Sequence, residues 1–186
     1  MIEVEIKLPV EHTEEIIEKL AAVGFVRAGF VCEEDCYFDN GCRQIRNNGE
    51  ALRIRKITDL LTDRSESVVT FKGKKMDRVS MSRKELETEV ADAETCMQIL
   101  ESLGFKKIPP EVVKYRQEFK CSQVTACVDR VQDLGDFLEL EMVIPETGSK
   151  DSALQQIEKI LKELGYSIKD TTRNSYLSML QQVEDE

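Results

Sequence analysis

Glu3-Val4-Glu5-Ile6-Lys7 opens the chain with charged and apolar residues in strict alternation. Successive side chains of a β-strand point to opposite faces, so Glu3, Glu5 and Lys7 share one face while Ile2, Val4, Ile6 and Leu8 share the other. The same writing recurs along the chain. Arg53 and Arg55 align in Ala51-Leu52-Arg53-Ile54-Arg55, Lys72 stands opposite Phe71, and Glu85, Glu87 and Glu89 align in Glu85-Leu86-Glu87-Thr88-Glu89-Val90. Lys114 and Arg116 repeat the device, as do Glu139 and Glu141.

Like charges two residues apart repel, and an ordinary solvated sheet face would mix Thr, Ser, Lys and Glu. Here bases gather on some strands and acids on others. That segregation suits a closed antiparallel barrel with a polar inner wall, where bases grip an anionic ligand and carboxylates hold its accompanying cations. A triphosphate with Mg²⁺ or Mn²⁺ matches such a wall. An open sheet with one charged, solvent-facing side explains any single strand equally well; agreement among seven strands favours the barrel.

Composition narrows the function further. The 186 residues show no compositional break, so one domain over 1–186 is expected. The formal charge is −10, and turning the bases inward leaves the outer surface more acidic still, which argues against nucleic-acid and anionic-membrane partners. The start lacks the basic and apolar regions of a signal peptide, and no apolar run approaches the ~20 residues that span a bilayer, so a cytoplasmic location is expected. The six cysteines contain no Cys-x-x-Cys pair and are read as packing residues, and the lone His12 lies in an acidic helical neighbourhood, so zinc is not expected. One histidine also leaves little room for nucleophile-base pairs. Chemistry in this chain rests on carboxylates, lysines, arginines and metal.

Helical spacing runs from Glu14 to Val23, with Ile16, Ile17, Leu20 and Val23 on one face and a stop at Gly24-Phe25. A second strand of glutamates leads to Asp92, an N-cap, then to a helix with Met97, Ile99, Leu100 and Leu103 and a stop at Gly104-Phe105. This is the sentence of a pseudo-repeat, each half giving a strand, a helix and further antiparallel strands to one barrel. The remaining strands are expected at 33–39, 50–57, 67–73, 82–90, 111–120, 123–131 and 136–144, with turns at Asn47-Asn48-Gly49 and Asp133-Leu134-Gly135-Asp136. Helices at 151–164 and 175–183 complete the set and are expected to pack outside the barrel. The polar stretches 58–66 and 74–81 read as mobile loops at its mouth.

Glu3-Val4-Glu5-Ile6-Lys7 resembles the Glu-x-Glu-x-Lys signature of the CYTH superfamily, the triphosphate tunnel metalloenzymes. Leu52-Arg53-Ile54-Arg55, Thr70-Phe71-Lys72-Gly73, Glu85-Leu86-Glu87, Lys114-Tyr115-Arg116, Val128-Asp129-Arg130-Val131, Leu134-Gly135-Asp136-Phe137 and Glu139-Leu140-Glu141 resemble that family's later motifs in order. The resemblance covers essentially the whole chain. It implies a closed eight-stranded antiparallel β-barrel, of the α+β class, that binds a triphosphate and a divalent metal. Tyr37-Phe38-Asp39 and Asn174-Ser175-Tyr176-Leu177 are most similar to the class IV adenylyl cyclase branch, which converts ATP to cyclic AMP and pyrophosphate. Inorganic triphosphatases and thiamine triphosphatases share nearly the same wall, so ATP, inorganic triphosphate and thiamine triphosphate are all candidate ligands, and a non-catalytic sensor of such ligands is a further reading. The resemblance assigns Lys7, Arg53, Arg55, Lys72, Lys114 and Arg116 to the phosphate chain and Glu3, Glu5, Glu139 and Glu141 to Mg²⁺ or Mn²⁺. Lys7 and Glu5 would act directly in catalysis, with Glu85, Glu87 and Asp129 in support. A homodimer is compatible with the sequence and not indicated by it.

Overall fold

The charges of residues 2–8 do form a strand, and seven more close a ring with it. In the computed structural model, which describes residues 1–41, 44–76 and 79–184, the strands are β1 (Ile2–Pro9), β2 (Val26–Asn40), β3 (Ala51–Asp59), β4 (Ser65–Lys72), β5 (Arg83–Glu89), β6 (Phe105–Cys121), β7 (Val124–Val131) and β8 (Gly135–Ile144). The helices are α1 (Thr13–Ala22), α2 (Ala93–Ser102), α3 (Lys150–Glu163) and α4 (Tyr176–Glu184), with a short 3₁₀ turn at Ile168–Asp170. The ring runs β1-β5-β4-β3-β2-β6-β7-β8 and closes with antiparallel neighbours throughout.

Exchanging β1–β4 with β5–β8 returns the same ring: β1 pairs β5, β2 pairs β6, and β2-β3-β4 mirrors β6-β7-β8. The expected pseudo-repeat is therefore a property of the fold. Its hinge points match as well, since Gly24 and Gly104 each follow a helix with φ of 93° and 91°, a left-handed conformation that glycine adopts without a Cβ clash.

Register decides which side chains face inward. Antiparallel partners project to the same face, and Glu5 pairs with Glu141 while Lys7 pairs with Glu139, so the acids of β8 stand beside those of β1 on one wall. The opposite faces supply the core. Val4, Ile6 and Leu8 of β1 and Leu138 and Leu140 of β8 pack against Ile16 and Leu20 of α1 and Ile157, Leu161 and Leu164 at α3.

Four expectations change. Residues 58–66 are an ordered hairpin: Thr58 still pairs with Ser65, and the Asp59 carboxylate accepts the amides of Leu61 at 2.7 Å and Thr62 at 3.0 Å. Of the 74–81 stretch, Ser80 and Met81 are buried and the Met81 amide donates to the Glu5 carbonyl at 2.9 Å, which binds the segment to β1; Asp77 and Arg78 lie outside the described residues. The helix α2 buries none of its residues, and Ile99 and Leu103 are 54% and 70% exposed, because among the described residues no second helix covers that side of the barrel. The helix α4 does not simply pack outside. Leu177 and Leu180 join Val112, Val131 and Phe137 in a second core, while Tyr176 turns into the barrel.

The contrast between α3 and α2 sets a measurable difference. Ile157→Ala, at a fully buried site, is expected to cost about 2–5 kcal/mol in urea unfolding. Leu103→Ala should change stability by no more than about 0.5 kcal/mol.

Candidate functional site

The inner wall is a chain of alternating charges. Lys7 Nζ lies 2.9 Å from Glu139, and Glu139 also accepts from Arg116. Arg116 makes a two-pronged pair with Asp129 at 2.7 and 2.6 Å. Lys114 bridges Asp129 at 3.6 Å and Glu33 at 2.9 Å, and Glu33 reaches Arg55 at 2.8 Å. Arg55 holds Asp35 with both prongs, at 2.6 and 2.7 Å, and Asp35 lies 3.7 Å from Arg53. Arg53 donates to the Thr70 hydroxyl at 3.3 Å, which in turn donates to Glu87 at 2.6 Å. A second short chain joins Glu3, Lys72 and Glu85, at 3.4 and 2.6 Å. Together these groups enclose a cavity of about 690 Å³.

Of the residues singled out by sequence, Glu3, Glu5, Lys7, Arg53, Arg55, Lys72, Glu85, Glu87, Lys114, Arg116, Glu139 and Glu141 line this cavity. Asp129 sits behind Arg116, fully buried. What sequence did not reveal is the pairing. Arg55 and Arg116 are each held by two carboxylates, so neither brings an uncompensated charge to the cavity.

Glu33 and Asp35 were missed, although period two places them with Tyr37 on one face of β2. The outward Glu34 between them makes the run read as a plain acidic segment. Tyr176 was also given no role. Its hydroxyl donates to Asp129 at 2.9 Å, its ring lies 3.9 Å from Lys7 Nζ and 5.3 Å from Lys114 Nζ, and Phe137 meets it edge-on at 5.0 Å. The ring covers the end of the cavity where Lys7 lies, and cation–π attraction holds it there. Exposed Met1 and Val143 mark another part of the cavity rim.

Two of the four carboxylates assigned to metal are already engaged. Glu139 is taken by Lys7 and Arg116, and burial opposed by Lys7 and Arg116 leaves its pKa well below the usual range. Glu3 is half-buried, which raises its pKa, yet Lys72 holds it down at about 2. Glu5 and Glu141 behave differently. Burial and the neighbouring Glu139 push Glu5 up, and its Oε1 has no hydrogen bond, with Lys7 Nζ 3.6 Å away. Burial and the charges of Glu3 and Glu139 raise Glu141 to about 8. Among the described residues no three His, Cys, Asp or Glu side chains already surround one point as a metal centre. The fit is of another kind: two adjacent carboxylates with spare oxygens, which suits a hard divalent cation that keeps its other ligands from water or phosphate.

Burial and charge thus define a class, a closed barrel whose ionic interior is built for a polyanion with its cation. The CYTH domain family matches residues 1–176. A Methanocaldococcus jannaschii protein whose name proposes an adenylate cyclase is 38% identical over 179 residues, covering 96% of this chain and 98% of its own. The PH1819 protein of Pyrococcus horikoshii OT3 superposes with a TM-score of 0.87 at 35% identity, over 97% of this chain and 99% of that one. A proposed adenylyl cyclase from Hippeastrum, described as having a dominant triphosphatase activity, shares the fold with a TM-score of 0.69 at 17% identity, over 98% and 95% of the two chains. The chain belongs to the CYTH family, whose members act on triphosphate-bearing substrates and use divalent metals.

The pairing makes a stability prediction. Asp129→Ala takes from buried Arg116 one of its two carboxylates, from Lys114 one of its two, and from the Tyr176 hydroxyl its acceptor, leaving buried positive charge in excess, and is expected to cost about 3–5 kcal/mol in urea unfolding. Glu34→Ala removes only an exposed pair with Lys56 and should cost no more than about 1 kcal/mol.

Proposed function

We propose that this protein is a metal-dependent adenylyl cyclase of the class IV type, converting ATP to cyclic AMP and pyrophosphate. The observation that carries the reading is the order of groups along β1: Glu3 next to the exposed Met1, Glu5 in the middle with an Oε1 that meets Lys7 only at 3.6 Å and accepts no hydrogen bond among the described residues, and Lys7 under Tyr176. A triphosphate entering tail first would lay its terminal phosphates toward Lys7 and its α-phosphorus at the level of Glu5 and Glu141. The nucleoside would stay toward Met1 and Val143.

Glu5 and Glu141 would hold the divalent ion, Mg²⁺ or Mn²⁺, which when bound polarises the attacking hydroxyl and offsets phosphate charge. The ribose 3′-oxygen attacks the α-phosphorus, the bond to the bridging oxygen of the β-phosphate breaks, and pyrophosphate leaves with that electron pair. The hydroxyl proton passes to solvent. Lys7, oriented by Glu139 and kept charged by it, stabilises the departing pyrophosphate. Arg53 contributes a buried Nε–H without a hydrogen-bond partner, a donor available to a non-bridging oxygen. None of these steps uses a histidine.

The second reading, hydrolysis of inorganic or thiamine triphosphate, is favoured by the covered end at Tyr176, against which a small inorganic chain would rest entirely inside the barrel. Product analysis separates the two. With ATP and Mg²⁺ or Mn²⁺ the cyclase yields cyclic AMP and pyrophosphate, whereas orthophosphate without a cyclic product, from ATP, thiamine triphosphate or inorganic triphosphate, overturns that reading in favour of the hydrolase. Saturable binding of these ligands without any product would instead mark a sensor.

Glu5→Gln supplies a companion test. It keeps the side chain's shape and removes a buried charge that lacks a hydrogen bond at Oε1, so the melting temperature should not fall. Turnover should drop by about 100-fold or more if the carboxylate serves the metal; full retained activity would remove Glu5 from the mechanism.

A further inference from the structure

A buried positive charge of the cavity that meets no carboxylate among the described residues lies outside the six bases assigned to phosphate. Arg83, the first residue of β5, is 8% exposed and lines the cavity, yet among the described residues its guanidinium makes one hydrogen bond, Nε to the Met81 carbonyl at 3.5 Å, and no ion pair. Its backbone pairs with Glu3, whose carboxylate is taken by Lys72, but its side chain runs back to the Met81 carbonyl, at the level of Glu5 and on the side of Lys75 and Lys7. Lys75, half-buried on the segment that follows β4, also lines the cavity; its ammonium donates to the Arg173 carbonyl and meets no carboxylate within ion-pair distance among the described residues.

The two bases belong to one neighbourhood. Burial, then the charges of Arg83, Arg173 and Lys7, lower the Lys75 pKa to about 8. Like charges brought together under cover raise the free energy of the empty fold, and an anion between them would lower it. The backbone fixes the group in place. Thr172 donates its amide to the Lys7 carbonyl at 2.7 Å, Arg173 Nε donates to the Ser80 carbonyl at 3.2 Å, and the Met81 amide donates to the Glu5 carbonyl at 2.9 Å. The segment 79–82 and the strand-like stretch before α4 thus interlock beside β1.

We propose that Arg83 and Lys75, with Lys7 beside them, form the seat for the terminal, unesterified phosphoryl of the polyphosphate. This rests on the triphosphate reading and sharpens it. Arg55 and Arg116 then brace the wall, and the affinity for the free end of the chain comes from the pair that meets no carboxylate among the described residues. Arg83 offers several N–H donors in one plane and Lys75 a point charge, a combination that matches a phosphoryl group with three terminal oxygens.

The test is calorimetric titration of the full chain with inorganic tripolyphosphate, once with chelator and once with Mg²⁺. Arg83→Gln and Lys75→Gln are each expected to raise the dissociation constant about tenfold or more, with Arg83→Lys recovering part of the loss. Arg130→Gln, on the outer surface and paired with Asp136, should bind as the wild type does. A purely structural Arg83 would lower the melting temperature of Arg83→Gln and leave the dissociation constant unchanged, which overturns the inference while the triphosphate reading stands. Wild-type protein that binds tripolyphosphate in neither condition overturns both. Should Arg83→Gln not fold, Lys75→Gln decides, because Lys75 lies half-exposed on a connecting segment.

Discussion

Closure of this barrel and ionisation of its interior depend on each other through the unbroken run of ion pairs from Lys7 to Arg53. Moving a carboxylate or a guanidinium out of water costs several kcal/mol even after relaxation, and a partner at about 2.7 Å recovers that cost only with good geometry. The two-pronged contacts Arg55–Asp35 and Arg116–Asp129 supply it. Each joins neighbouring strands, β2 to β3 and β6 to β7. The pairs join equivalent strands in the two halves of the ring with their signs exchanged, the acid on β2 and the base on β3 in one half, the base on β6 and the acid on β7 in the other. An open sheet would hydrate these groups and would have no need of the pairing.

Function enters where the two halves differ. The first strand of one half presents Glu3, Glu5 and Lys7, and its counterpart presents Arg83, Glu85 and Glu87. The tail of the chain then adds α3 and α4 to one side only. Packing of α3 and α1 on β1 and β8 gives that side its deep core, while α2 rests on the other side with no residue buried. Because α4 follows directly, Tyr176 comes down over Lys7 and not over the equivalent position in the other half. A symmetric ring thereby becomes a cavity with one covered end and, at Glu5, a carboxylate oxygen that accepts no hydrogen bond among the described residues.

The strands were legible because each has a charged face and an apolar face, a signal with period two that survives without knowledge of neighbours. Membership of the inner wall followed from it for Glu3, Glu5, Lys7, Arg53 and Arg55. Partnership did not, because it depends on register across the ring: nothing local to Arg116 says that Asp129 and Glu139, 13 and 23 residues away, will hold it. Glu33 and Asp35 were hidden by the outward Glu34. Arg83 falls at the start of the strand expected at 82–90, on the face of Glu85 and Glu87, and was passed over because the acids dominate that face; Tyr176 was hidden by a short helix whose apolar stripe explains itself as packing. The exposed face of α2 failed for the opposite reason, since its spacing is that of a buried helix and only the absence of a covering element leaves it open.

The interior's charge balance also limits how a polyanion can be bound. A triphosphate carries about four negative charges near neutral pH, and a wall whose arginines are already matched by carboxylates cannot offset them without breaking buried pairs. Two sources of positive charge avoid that cost. One, in the proposed scheme, is a divalent cation brought to Glu5 and Glu141, whose pKa values are raised by burial first and then by neighbouring carboxylates, a charge that a cation would relieve. The other, on the same proposal, is the pair Arg83 and Lys75, crowded and without carboxylate partners among the described residues. In the proposed scheme they would work at different points of the ligand, the cation near the phosphorus that reacts and the bases at the end that is released, so that the field along the cavity would favour a polyphosphate held in one direction.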